Sequence, residues 1–258
     1  MTAERWAGEV AIDDMDPSAV PGEEYLRVIA DAMQPVSILA VIDERYSAVG
    51  VAERMRTREE VAGTARAVAI DVGIVAADAR RVDVDADADE RLDRIAAFEA
   101  VIDRGLALPP QPAGIDGRMQ RFLERRLRVL DVEAGLLGME VTGDEMVGEL
   151  RERLAALEAV VRDLGEEPAE AVDVLYARGL VGYAAGDTTA TASLFERVLE
   201  QDSQRLDTFQ RGVALRLLGR TLEQEGALAR AAEIYEQSVA AFGFDPQILA
   251  RLARARIS

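Results

Sequence analysis

AVDVLYARGLVGYAAGDTTATASLFERVLE, residues 171–200, is followed ten residues later by RGVALRLLGRTLEQEGALARAAEIYEQSVA, residues 211–240, and the second reads as another version of the first. In the second, Leu215, Leu218, Gly219 and Leu222 fall at helical spacing, Gly226 interrupts, and Ala231, Tyr235 and Val239 resume the period. The first offers Leu175, Gly179 and Tyr183, a break at Gly186-Asp187, then Ala192, Phe195 and Leu199. Each is therefore predicted to be a helix, a turn and a helix. Gly219 is expected where the two helices cross closely, so that Leu there would overpack the crossing and Ala would be tolerated. Asp245 and Pro246 supply an N-cap and a first-turn proline ahead of Ile248, Leu249 and Leu252, which predicts a terminal capping helix.

Large apolar residues, a small residue at the crossing and a turn glycine, in that order, resemble the tetratricopeptide repeat family over the last third of the chain. Two positions depart from it. Gly186 and Gly226 lie 40 residues apart (226 − 186), against a family period of about 34, so the connection through Gln201-Asp202-Ser203-Gln204 is expected to be long. Arg178 stands where an apolar residue is expected. The resemblance implies a solenoid whose binding groove is lined by the first helix of each hairpin, here with Tyr176, Leu180, Tyr183, Arg216 and Arg220 facing outward. Arg216 and Arg220 are four apart and share a helix face, which suits an acidic peptide or a chain-terminal carboxylate on a protein partner. The charged clamp of some family members uses Lys and Asn, which this chain lacks.

The alphabet narrows the chemistry further. There is no Cys, His, Lys or Asn, so all 30 basic residues are Arg, against 48 acidic ones. Without Lys there is no phosphate-binding Walker loop and no Schiff base; without His or Cys there is no common catalytic triad and no zinc site of the usual ligands. The reading is accordingly of a protein that is not an enzyme, with no cofactor and no metal, leaving a carboxylate-based hydrolase as the remaining catalytic rival. The missing Lys and Asn fit a GC-rich genome, and the net charge of −18 fits a proteome adapted to high salt, where screening relieves self-repulsion. No run of eighteen apolar residues and no charged-then-apolar leader at Met1 is visible, so a soluble, cytoplasmic chain without a membrane partner is expected.

Ahead of the repeats, residues 1–21 carry Trp6, an Asp13-Asp14-Met15-Asp16 run and two prolines without a sustained period, and read as a loose tail. From Gly22, Tyr25, Leu26, Ile29 and Met33 share one helical face until Pro35; Ile38, Leu39 and Ile42 make a second helix, and Val49, Val51, Ala52 and Met55 a third. Thr57 and Glu60 then form a capping box before Val61, Ala65, Val68 and Val72, Gly73 ends that helix, and Ile74-Val75-Ala76 and Val82-Asp83-Val84 read as a small β-hairpin. This order resembles winged helix-turn-helix transcription regulators from Gly22 to Ile102. The resemblance implies contacts to double-stranded DNA through Arg54, Arg58 and Arg66 on or before the recognition helix and through Arg80 and Arg81 at the wing. Between Val51 and Val72 four Arg are balanced by four acidic residues, so the surface is neutral rather than basic. A winged helix that instead docks a second protein stays open.

Alternate Asp residues from Asp83 to Asp89 invite a calcium-loop reading, but the sixth and twelfth positions are Ala88 and Arg94 where Gly and Glu are required. The run reads instead as an acidic lead into a helix carrying Leu92, Ile95, Phe98 and Val101 or Ile102 and ended by Gly105. The Pro-rich stretch from Leu108 to Gly114 places a linker at 106–117, between a domain at 22–105 and a helical domain at 118–258. Beyond it, Arg118, Arg121, Arg125 and Arg128 form a basic stripe beside Phe122, Leu123, Leu127 and Leu130, a face for phosphates, an acidic partner or the chain's own Asp run. Val147, Leu150, Leu154, Leu157, Val161 and Leu164 keep a three-four alternation that serves an internal helix pair or a homodimer through the 145–164 helix. The fold class expected is mainly α: an N-terminal winged-helix-like module with a small β-hairpin, then a C-terminal α-helical solenoid of tetratricopeptide-like hairpins. Its expected function is regulatory, one domain holding a protein partner and the other binding DNA. A purely protein-protein adaptor is the alternative.

Overall fold

The structure, a computed structural model, describes residues 75–76, 79, 87–109, 115–143, 146–201, 206, 208–242 and 246–257. The described residues are overwhelmingly helical and include no strand. By its contacts the chain divides into Met1–Asp144 and Glu145–Ser258. The Pro-rich stretch, expected as a domain linker, joins two helices that pack on each other inside the first unit. Val75, Ala76 and Ala79 are helical where the reading has the first strand and turn of a hairpin; the rest of the winged-helix module, with Arg54, Arg58, Arg66, Arg80 and Arg81, lies outside the described residues.

In the first unit, α1 (Ala88–Leu106) packs on α2 (Ile115–Thr142). The acidic run leads into α1 as expected, Asp87 capping it by accepting from Glu90 N at 2.9 Å. Gly105 does not end that helix but is buried within it beside Ile95, Phe98, Val101 and Ile102, and Ala107 is the C-cap. The connection is held by Gln120, whose Nε2 donates to the carbonyls of Leu108 at 3.1 Å and Pro109 at 2.9 Å. The Arg stripe on α2 is not a uniform outer face: Arg121 is exposed, Arg125 is buried, and Arg128 pairs with Asp131.

The second unit comprises α3 (Val147–Asp163), α4 (Val172–Ala184), α5 (Thr188–Glu200), α6 (Thr208–Gln224), α7 (Leu228–Phe242) and α8 (Pro246–Ile257). Each helix packs on the next, and α6 also touches α4. The apolar seam of α3 is used inside this unit, where Leu150, Leu157 and Val161 are buried and α3 packs on α4. Arg178, out of place in the repeat pattern, reaches back to α3 and donates to Glu158 Oε1 through Nε at 3.0 Å and Nη2 at 2.7 Å. A cation midway along an apolar helix is thus accommodated by an ion pair in which two guanidinium N–H groups converge on one carboxylate oxygen.

Hairpins α4/α5 and α6/α7 share their turn chemistry. Gly186 and Gly226 both have positive φ, +72° and +76°, a region costly to any residue with a Cβ. Around each the same two bonds close the helix end: Gly186 N to Tyr183 O and Asp187 N to Gly182 O, both 3.0 Å, and Gly226 N to Glu223 O at 3.1 Å and Ala227 N to Leu222 O at 2.9 Å. The crossings repeat too. A Cβ on Gly179 would sit 2.6 Å from Phe195 Cε1, and one on Gly219 would sit 2.7 Å from Tyr235 Cδ1 and 2.8 Å from Cζ. Both rings are fully buried and have nowhere to retreat. The close crossing expected at Gly219 is therefore present, but the room expected there for Ala is not: the β-carbon alone already collides. The two contacts are offset by the same 40 residues as the turns (219 − 179, 235 − 195). Part of the long period lies in residues 201–207 between α5 and α6. The rest lies in α6 itself, since Thr208 precedes Gly219 by eleven residues whereas Val172 precedes Gly179 by seven.

Candidate partner-binding site

The last turn of α4, the last turn of α6 and the middle of α8 meet around a surface pocket of about 350 Å³ lined by Tyr183, Arg220, Glu223, Gln224 and Arg251. Arg220 Nη1 donates to the Tyr183 hydroxyl at 3.3 Å, joining α6 to α4. Arg251 Nη1 donates to Glu223 Oε2 at 2.7 Å, joining α8 to α6, and the same oxygen accepts from the Tyr235 hydroxyl at 2.7 Å from α7. The pocket floor is thus tied to the crossing at Gly219, because the ring that Gly219 admits is the one whose hydroxyl holds Glu223.

The electrostatics follow from that geometry. Partial burial acts to raise the Glu223 carboxyl, but the donors on Tyr235 and Arg251, with Arg254 nearby, hold it below the ordinary carboxylate range. Burial, with the Glu223 carboxylate as its acceptor, pushes the Tyr235 hydroxyl far above the usual phenol range. Glu223 is accordingly a fixed negative charge and Tyr235 a fixed donor at neutral pH. Charge also sorts by helix. α6 and α8 are basic, with three Arg against one Glu in α6, a net of +2, and three Arg against no acid in α8, a net of +3, while α4 is neutral with Asp173 against Arg178. The second helices carry two Glu against one Arg each, a net of −1, in α5 and in α7.

Of the residues expected to face a partner, Tyr183 and Arg220 come together in this pocket. Tyr176 and Leu180 do not: both are fully buried, and the Tyr176 ring packs on Phe195 with centroids 6.3 Å apart at 57°. Their face of α4 is turned into the hairpin, and α4 is buried along nearly its whole length from Val172 to Val181. Arg216 lies one turn before Arg220 and is half-buried, its Nε sealed from solvent without an acceptor among the described residues. Glu223, Gln224 and Arg251 were not singled out from sequence. Glu223 had a signal, since it stands 40 residues after Tyr183 (223 − 183), the same offset as the turn glycines.

Among the described residues no three acidic side chains gather as they would around a metal ion, and no helix is long and apolar enough to cross a membrane. No family model, curated protein or solved structure matches the chain.

Proposed function

We propose that this chain is a non-enzymatic regulatory protein whose C-terminal helices form a tetratricopeptide-like solenoid that holds a protein partner by a carboxylate-bearing segment. The single observation that carries the reading is the pocket where Tyr183 of α4 meets Arg220 of α6 and Arg251 of α8, the latter two helices being basic inside a strongly acidic chain. Guanidinium groups recognise carboxylates with directional, charge-assisted bonds, and a local positive surface also steers an anionic segment toward it. In this account the N-terminal module, winged-helix-like by its sequence, binds DNA through Arg54, Arg58, Arg66, Arg80 and Arg81 or docks a second protein, and the solenoid couples the partner to it.

The test is a titration of the full chain with fluorescent peptides carrying side-chain carboxylates, followed by anisotropy. Arg220→Glu should weaken binding at least ~10-fold while leaving the melting temperature within a few degrees of the parent's. Equal binding by the parent and the variant would remove the pocket from the account.

A further inference from the structure

We infer that the pocket selects a partner segment bearing one carboxylate beside a hydrogen-bond donor or cation, rather than a run of acids, and that Glu223 enforces the choice. The inference rests on the partner-binding reading of this same pocket and narrows it to a chemistry.

Two guanidiniums against one carboxylate leave the lining with a single net positive charge. One ligand carboxylate neutralises it. A second carboxylate within reach would face Glu223, which is held in place by two donors and cannot turn away. Both of those donors bind Oε2, so Oε1 is left without a partner among the described residues, and it is not sealed from solvent. The pocket therefore offers donors from Tyr183, Gln224 and the guanidiniums next to one charged acceptor. A segment with a carboxylate and an adjacent guanidinium, ammonium or amide N–H satisfies both sides, because charge-assisted bonds form at each end. An all-acidic segment satisfies only the donors and brings like charges together.

Two octapeptides, amidated at the C-terminus so that only side chains carry carboxylates, decide the matter against the full chain. One holds a single glutamate followed by arginine in a glycine-serine background, the other three consecutive glutamates in the same background. The parent should bind the mixed peptide roughly tenfold more tightly than the acidic one. Glu223→Gln, which turns the exposed acceptor into an amide donor and raises the lining to two positive charges, should reverse that order. Tighter binding of the acidic peptide by the parent overturns the inference, as does an unchanged preference in a Glu223→Gln chain whose melt matches the parent's. The comparison within the parent needs no variant, so a poorly folding Glu223→Gln chain does not decide the outcome. Binding of neither peptide overturns the partner-binding reading itself, a failure distinct from binding without discrimination.

Discussion

Hairpins α4/α5 and α6/α7 are built on one plan and finished differently. Both set a glycine of the first helix against a buried aromatic ring of the second, and both close the first helix with a positive-φ glycine and the same pair of backbone bonds. At the positions that the 40-residue offset pairs, however, Tyr176 answers to Arg216, Leu180 to Arg220 and Tyr183 to Glu223. In the first hairpin two of the three are sealed in the interior, with α3 and α5 both packed on α4. In the second all three are polar and only half-buried, and two of them line the pocket. The residues that fix how two helices cross are thus separable from those that line the surface pocket, and this chain repeats the former while changing the latter.

The largest effect is expected at the crossings. Gly219→Ala should destabilise the chain by roughly 1–3 kcal/mol from overpacking, less the ~1 kcal/mol that alanine gains over glycine in a helix. Gly179→Ala should do the same against Phe195. Urea unfolding measures both, and pairing Gly219→Ala with Tyr235→Leu should recover about 1 kcal/mol beyond additivity, since the ring that collides is removed. A neutral Gly179→Ala beside a costly Gly219→Ala would mean that the two hairpins do not share a crossing.

A smaller effect separates the hairpins by pH, because Glu223 has no acidic counterpart at Tyr183. Its carboxyl titrates lower in the folded chain than its ordinary value of 4.5. The stability it contributes is therefore complete above that ordinary value and is lost as pH falls through the folded value. The difference in urea midpoint between the parent and Glu223→Gln should be constant above about pH 5 and shrink below it. A difference that grew toward acid would contradict the bonds from Tyr235 and Arg251.

What was legible in the sequence follows the same division. Gly186, Gly226, Gly219 and Tyr235 could be read because turn geometry and close approach admit few residue types, and their spacing repeats. Tyr176 and Leu180 could not be placed, since α4 is apolar on nearly every side and its period carries no outward direction. Arg251 was hidden because its role depends on α8 lying beside α6, a long-range pairing that local pattern does not encode. Glu223, three residues from Arg220, reads locally as half of an ordinary surface ion pair, and only the long-range bonds from Tyr235 and Arg251 give it a fixed position. The Pro-rich stretch marked a break in helix: proline stops a helix whether the next one departs or folds back, and here α2 folds back on α1.

The proposed partner binds at the pocket of Tyr183, Arg220 and Arg251, on α4, α6 and α8. Hydrogen-exchange mass spectrometry of the full chain, with and without a saturating carboxylate-bearing peptide, locates that binding. Slowed exchange should concentrate in the last turns of α4 and α6 and in α8, with α5 and α7 unchanged on their outer faces. Protection confined to α5 and α7, the acidic second helices, would contradict it.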